Sequence, residues 1–235
     1  MIRQQNFSGR DGVSFMYHID CVFCVESTSN MSSASGTVKK RINDILDMFI
    51  DHLEGWWDEP GLIRAKFILF RDFSCCPNAI EESIFFNVEN SRSEMEAYFD
   101  GIEFKGGHGY CNALEAIALA LKSDWTTGGD RRRHLVLVIS NGTVRNLGES
   151  KASMSNYPSD MPVDFTQLYG WWEGSDSTLN STYDWRKGRL AAFAPAKDPW
   201  LKMSPWSRYW LFCSDTGAGR DDDDYMVIPD MFIGT

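Results

Sequence analysis

The chain has little of what would hold it to nucleic acid or a membrane. Lys and Arg number 23 against 33 Asp and Glu, for a net charge of −10 and an isoelectric point near 4.9. No basic surplus is left to meet a phosphate backbone or an anionic lipid surface. The one basic run, Arg131-Arg132-Arg133-His134, is short and reads as a solvated loop lip ahead of an apolar run. No stretch approaches the roughly 20 apolar residues of a membrane span, and MIRQQNFSGRDG has no apolar signal core. The expectation is a soluble, cytoplasmic protein with neither nucleic acid nor membrane as partner.

Enzyme signatures are also scarce. There is no G-x-S-x-G nucleophile turn, and Gly106-Gly107-His108-Gly109 has neither the dinucleotide fingerprint nor the Lys-Ser/Thr ending of a phosphate loop. A hydrolase using His108 with Glu26 or Asp72, or a nucleotide binder using the Gly106–Gly109 loop, are the enzymatic alternatives. The six cysteines lie at 21, 24, 75, 76, 111 and 213. Cys21 and Cys24 have C-x-x-C spacing, but strand positions three apart face opposite ways, so buried free thiols are expected rather than a shared ion. Asp221 to Asp224 lack the spaced ligands, central Gly and terminal Glu of a calcium loop and read as a solvated turn.

What is present is the material of a folded α/β chain. Hydrophobic residues make up 43% of it and aromatics 14%, and no internal repeat is visible. YHIDCVFCV (17–25) is apolar almost throughout, as in a central strand covered on both faces. Val38, Ile42, Ile45, Leu46, Phe49, Ile50 and Leu53 recur at helical spacing, predicting a helix over 35–55. LIRAKFILF (62–70) and SIFFNV (83–88) read as strands, and SRSEMEAYFDGI (91–102) as a helix with a serine cap. A helix over 112–122 burying Leu114, Ile117, Ala118 and Leu121 follows, then the strand HLVLVIS (134–140). Residues 150–187 are rich in Ser, Asp, Tyr and Trp with a helix near 164–172. RLAAFAP (189–195) is a further strand, and the tail holds a last helix or strand. Strands alternating with helices predict a doubly wound, mostly parallel sheet flanked by helices.

In such a sheet, ligands bind beyond the carboxyl ends of the strands where strand order reverses. The candidate ends are Glu26-Ser27-Thr28-Ser29-Asn30, Asp72, the Gly106–Gly109 loop, and Ser140-Asn141. Side-chain oxygens crowd the first, which raises the question of a metal.

At these positions the chain resembles the von Willebrand factor A (vWA) family over roughly residues 17–215. FILFRDF, GGHGYCNALEAIALALKSDW and RRRHLVLVIS look like stand-alone bacterial members, including relatives of the tellurium-resistance type that serve as interaction modules for partner proteins. The resemblance implies a single domain over 1–235, with a Trp/Ser-rich insertion at about 150–187. In the family, an Asp-x-Ser-x-Ser turn, a Thr or Asp after a Gly-Gly pair, and a strand-ending Asp form a metal-ion-dependent adhesion site. Here Glu26, Thr28, Asn30, His108 and Asn141 replace those residues, with Asp72 as a possible second carboxylate.

Glu is one methylene longer than Asp, and magnesium demands near-ideal octahedral oxygen geometry, so a degenerate site that does not take magnesium is expected. A divalent cation bound weakly, or a softer metal on His108, Glu26 and Asp72, is the alternative. Without metal, Thr28 and Asn30 could cap the following helix, and His108 could pair with Glu26. The functional expectation is a non-catalytic protein-interaction module without a cofactor. Its surface would be the rim of this site together with the Trp-rich insertion, with aromatics as anchors, about half of the tryptophans being expected in the core because several sit within apolar runs. An adhesion-type receptor is disfavoured by the missing secretion signal and the unpaired cysteines.

Overall fold

A computed structural model describes residues 16–56, 61–107, 109–151, 156–214 and 228. Its elements in chain order begin with β1 (Tyr17–Glu26), α1 (Ser35–Trp56), β2 (Leu62–Phe70), β3 (Ile80–Glu82), β4 (Phe86–Asn87) and α2 (Arg92–Asp100). They continue with β5 (Tyr110–Cys111), α3 (Ala113–Leu121), β6 (Arg131–Ile139), β7 (Thr143–Val144), α4 (Phe165–Glu173), β8 (Gly188–Ala194) and β9 (Tyr209–Cys213).

The main sheet has the order β3-β2-β1-β6-β8-β9. β1 runs parallel to both β2 and β6, and β8 and β9 extend the sheet in parallel. β3 and β4 pair with β2 antiparallel at one margin. Every residue of β1 is buried, as its unbroken apolar run demands of a central strand. One face presents Tyr17, Ile19, Cys21, Phe23 and Val25 to a core shared with α1 and α2. The other presents Val22 and Cys24 to a core shared with α3 and α4. Cys21 and Cys24 therefore sit in separate cores, and all six cysteines are free. Each large apolar side chain so buried contributes roughly 1.5–3 kcal/mol.

Four elements depart from the sequence expectation. SIFFNV is not one strand: β3 and β4 flank a break where the Ser83 hydroxyl accepts the Phe67 amide at 2.9 Å, replacing a backbone carbonyl in the ladder. α2 follows Ser91, but the serine side chain makes no cap bond. α3 is buried on every side, because Trp125, whose indole N–H donates to the Ala120 carbonyl, and α4 cover the face turned away from the sheet. The basic run is no loop lip: it opens β6, with Arg133 and His134 buried.

α4 begins at Asp164, whose carboxylate accepts the Gln167 amide at 2.8 Å. It turns Leu168, Trp171 and Trp172 into the second core. Trp171 and Trp172 thus face inward, and Trp200 and Trp206 are buried as well, whereas Trp185 of the same stretch and Trp210 are half-buried; the four buried indoles are core packing. The acidic run Asp221–Asp224 lies outside the described residues. Among those described, no helix is long and apolar enough to cross a membrane.

Candidate binding site

Strand order runs outward in opposite directions from β1 and β6, so the carboxyl ends of these two neighbours flank the switch point. β1 ends there in Glu26 and β6 is followed by Ser140. A two-stranded parallel clip, β5 with β7, ties the Gly-rich loop to the segment after β6.

The turn after β1 is held by backbone bonds. The Ser27 amide donates to the Phe70 carbonyl at 3.0 Å, Lys105 to Ser27 at 3.0 Å and Ser29 to Gly106 at 2.9 Å. Gly107 has φ +69, and a Cβ there would stand 2.5 Å from the Thr28 methyl, so only glycine allows this approach.

Glu26 is fully buried. Its Oε1 accepts the Thr28 hydroxyl at 2.6 Å. Its Oε2 accepts the Ser140 hydroxyl at 2.7 Å and the amides of Asn141 and Gly142 at 2.9 and 2.8 Å. All four donors are neutral, and short bonds to an ionised acceptor are the strong kind. Gly142 is needed here too, because a Cβ would come within 2.8 Å of Oε1.

Asp72, after β2, is equally buried but held differently. Arg145 clamps it through Nε at 2.8 Å and a second guanidinium nitrogen at 2.9 Å, and the Ser74 amide adds a third bond. Burial alone would raise its carboxyl, but the bonds from Arg145 and Ser74 outweigh that and hold it below the usual range. The same guanidinium reaches Glu149 at 2.9 Å and lies over the exposed ring of Tyr110 at 4.5 Å.

The structure thus brings together Glu26, Thr28 and Asn141. Asn30 adds only its carbonyl, which accepts the Asn141 side-chain amide at 3.3 Å, while its own side chain is exposed. Asp72 belongs to a separate ion pair, and His108 lies outside the described residues. Helix capping by Thr28 is corrected: it precedes the short 3-10 helix Ser29–Ala34 with no side-chain cap bond, its hydroxyl being given to Glu26. Sequence reading missed Gly142 and Arg145. Only the Asn141-Gly142 dipeptide after an apolar strand hinted at the first; nothing singles out Arg145 in TVRNLG.

The described acidic groups of the site are engaged within the chain itself. The longer Glu side chain carries its carboxylate into the amides that follow β6, and Asp72 is already neutralised by Arg145. Among the described residues, no cluster of three His, Cys, Asp or Glu could hold a metal.

Fold and switch-point site together define an α/β chain of Rossmann-like architecture with a mostly parallel sheet. It is similar in fold to the pilus adhesin SpaC from Lactobacillus rhamnosus GG in its open conformation, at 13% identity over 95% of this chain, with a TM-score of 0.50. A second SpaC structure matches at 12% identity over 96% of the chain, with a TM-score of 0.52. This chain spans only 30–31% of the length of those adhesins. No protein-family model matches the chain, and no curated protein matches it in sequence.

Proposed function

We propose that this is a non-catalytic, vWA-like protein-interaction module of a bacterial multi-protein system, working in the cytoplasm and recognising another protein without magnesium. The observation that carries the reading is the Glu26 carboxylate, buried with both oxygens engaged by donors of its own chain at the switch point. A site that has internalised its charge leaves its rim to do the binding. That rim exposes Asn30, the Tyr110 ring and Thr143, and loops on a rigid sheet are where binding concentrates. That SpaC, similar in fold, is a pilus adhesin is in keeping with a binding role. Six free cysteines accord with a reducing compartment.

Catalysis is disfavoured by the state of the candidate nucleophiles. Ser140 is buried and gives its hydroxyl hydrogen to Glu26. Burial pushes the Cys111 thiol well up, away from the reactive thiolate.

The test is affinity capture from cells of the source organism with the wild-type chain, Asn30→Arg and Tyr110→Ala, each with and without a chelator. A stoichiometric partner retained by wild type in chelator and lost with both variants is expected. Equal recovery by all three chains would remove the rim from consideration, and recovery that needs a divalent cation would remove the metal-free reading.

A further inference from the structure

Two adjacent cysteines after β2 have no part in that reading. Cys75 and Cys76 place their sulfurs 3.4 Å apart. The loop is held in shape because the amides of both residues donate to the Asp72 carbonyl, at 3.2 and 3.0 Å. The Cys75 thiol also points to that carbonyl at 3.7 Å. Cys76 is 8% exposed and packs with Phe73 and Ala79, whereas Cys75 is half-buried and flanked by exposed Ser74, Pro77 and Asn78. The pair is therefore preorganised on one side and reachable from the other.

Three chemistries compete for two such thiols. A disulfide is disfavoured, because neighbouring Cα atoms across a trans peptide are about 3.8 Å apart and disulfides ordinarily need about 4.4–6.8 Å. Burial pushes the Cys75 thiol up, so little thiolate is present to attack a peroxide. Zinc would need two more ligands, and bonds of about 2.3 Å at a tetrahedral angle spread two sulfurs to about 3.8 Å. Bonds of that length at nearly a right angle, as on a pyramidal trivalent centre, span about 3.3 Å, close to the separation found.

We propose that Cys75 and Cys76 form a chelating dithiol site for a trivalent thiophilic metalloid, such as an arsenical. With an arsine oxide, both thiol protons pass to the oxygen, which leaves as water. Two arsenic–sulfur bonds replace the arsenic–oxygen bond, and arsenic stays trivalent. The site does not depend on the interaction reading above.

Phenylarsine oxide added to the full chain tests it by intact mass and peptide mapping. One adduct per chain is expected, bridging Cys75 and Cys76, removed by 2,3-dimercaptopropanol and resistant to a monothiol. Cys75→Ser and Cys76→Ser should each weaken binding about a hundredfold, since the second bond gains from effective concentration. Mapping of the wild-type chain does not depend on either variant folding. An adduct at Cys213 alone, or wild-type affinity in either variant, would overturn the site.

Discussion

β1 carries two carboxylates that leave water completely, Asp20 near its start and Glu26 at its end. At the start, Arg64 grips Asp20 in a fork, at 2.7 and 2.6 Å, and the Thr126 amide adds a bond at 2.6 Å. At the end, Glu26 is met by hydroxyls and amides alone. The first arrangement cancels a charge with a charge and ties β1 to its neighbour β2. The second surrounds a charge with neutral dipoles and keeps it at the switch point, where the fold gathers its loops. Burial by itself thus says little about the role of a carboxylate; the identity of its donors says more.

The sharpest way to break this comparison is to delete both acids. Glu26→Ala leaves two hydroxyls and two amides without their acceptor, and urea denaturation should show a loss of about 3–5 kcal/mol. Asp20→Ala strands Arg64 at a similar cost. The two ends should then part company: Asp20→Leu combined with Arg64→Met should recover most of the loss, while no single second substitution rescues Glu26→Ala. Rescue of both would erase the distinction.

Acid should strike the Asp20 end next. His134 stacks on Trp125, accepts the Asp184 amide at Nδ1 and donates from Nε2 to the Thr126 carbonyl. Burial holds its pKa down to about 4 from an ordinary 6.5. Above the unfolded value both states are neutral and stability is whole. Below it the unfolded chain takes a proton that the native one refuses. About 3 kcal/mol should therefore drain away as pH falls from 6.5 to 4, and His134→Phe should abolish that slope. A slope unchanged in His134→Phe would assign it elsewhere.

Asp72 is the intermediate case, with a cation partner at the switch-point end. Arg145→Met should cost about 2 kcal/mol near neutrality, the partly exposed guanidinium moderating the penalty. Because the folded carboxyl lies below its usual 3.8, the stability it supplies is present above that pH and lost as pH falls through the lowered value. Denaturation curves of the variant should lack this acid loss.

The smallest effect concerns magnesium. A cation at its dissociation constant adds only about 0.4 kcal/mol, and wild type should show less than that in a melting curve with millimolar magnesium. Glu26→Asp with Asn141→Asp should gain a visible shift. A wild-type rise abolished by Glu26→Ala would mean that the carboxylate is available after all.

The frame of the fold was legible in the chain because its central strands are unbroken apolar runs: LIRAKFILF is β2 to the residue, and YHIDCVFCV lacks only Glu26 of β1. Switch-point geometry then located Glu26, Thr28 and Asn141. What stayed hidden was how the charges are satisfied. Two of the four donors to Glu26 are backbone amides, which carry no side-chain signature, and the partner of Asp72 lies 73 positions away. The sequence also left open which tryptophans are core, because polar neighbours surround Trp171 and Trp172 although both are buried.

The same central position that shields β1 also makes it wait during synthesis. Its β6 partners lie 114 residues downstream, as in Ile19 with Arg133, so at about 5–20 residues per second β1 is made roughly 6–23 s before that flank can close. For that interval an apolar strand offers unpaired backbone groups to any neighbouring chain. The edge of β1 that β2 does not cover thus stays open until β6 has been made, a consequence of the strand order of this sheet.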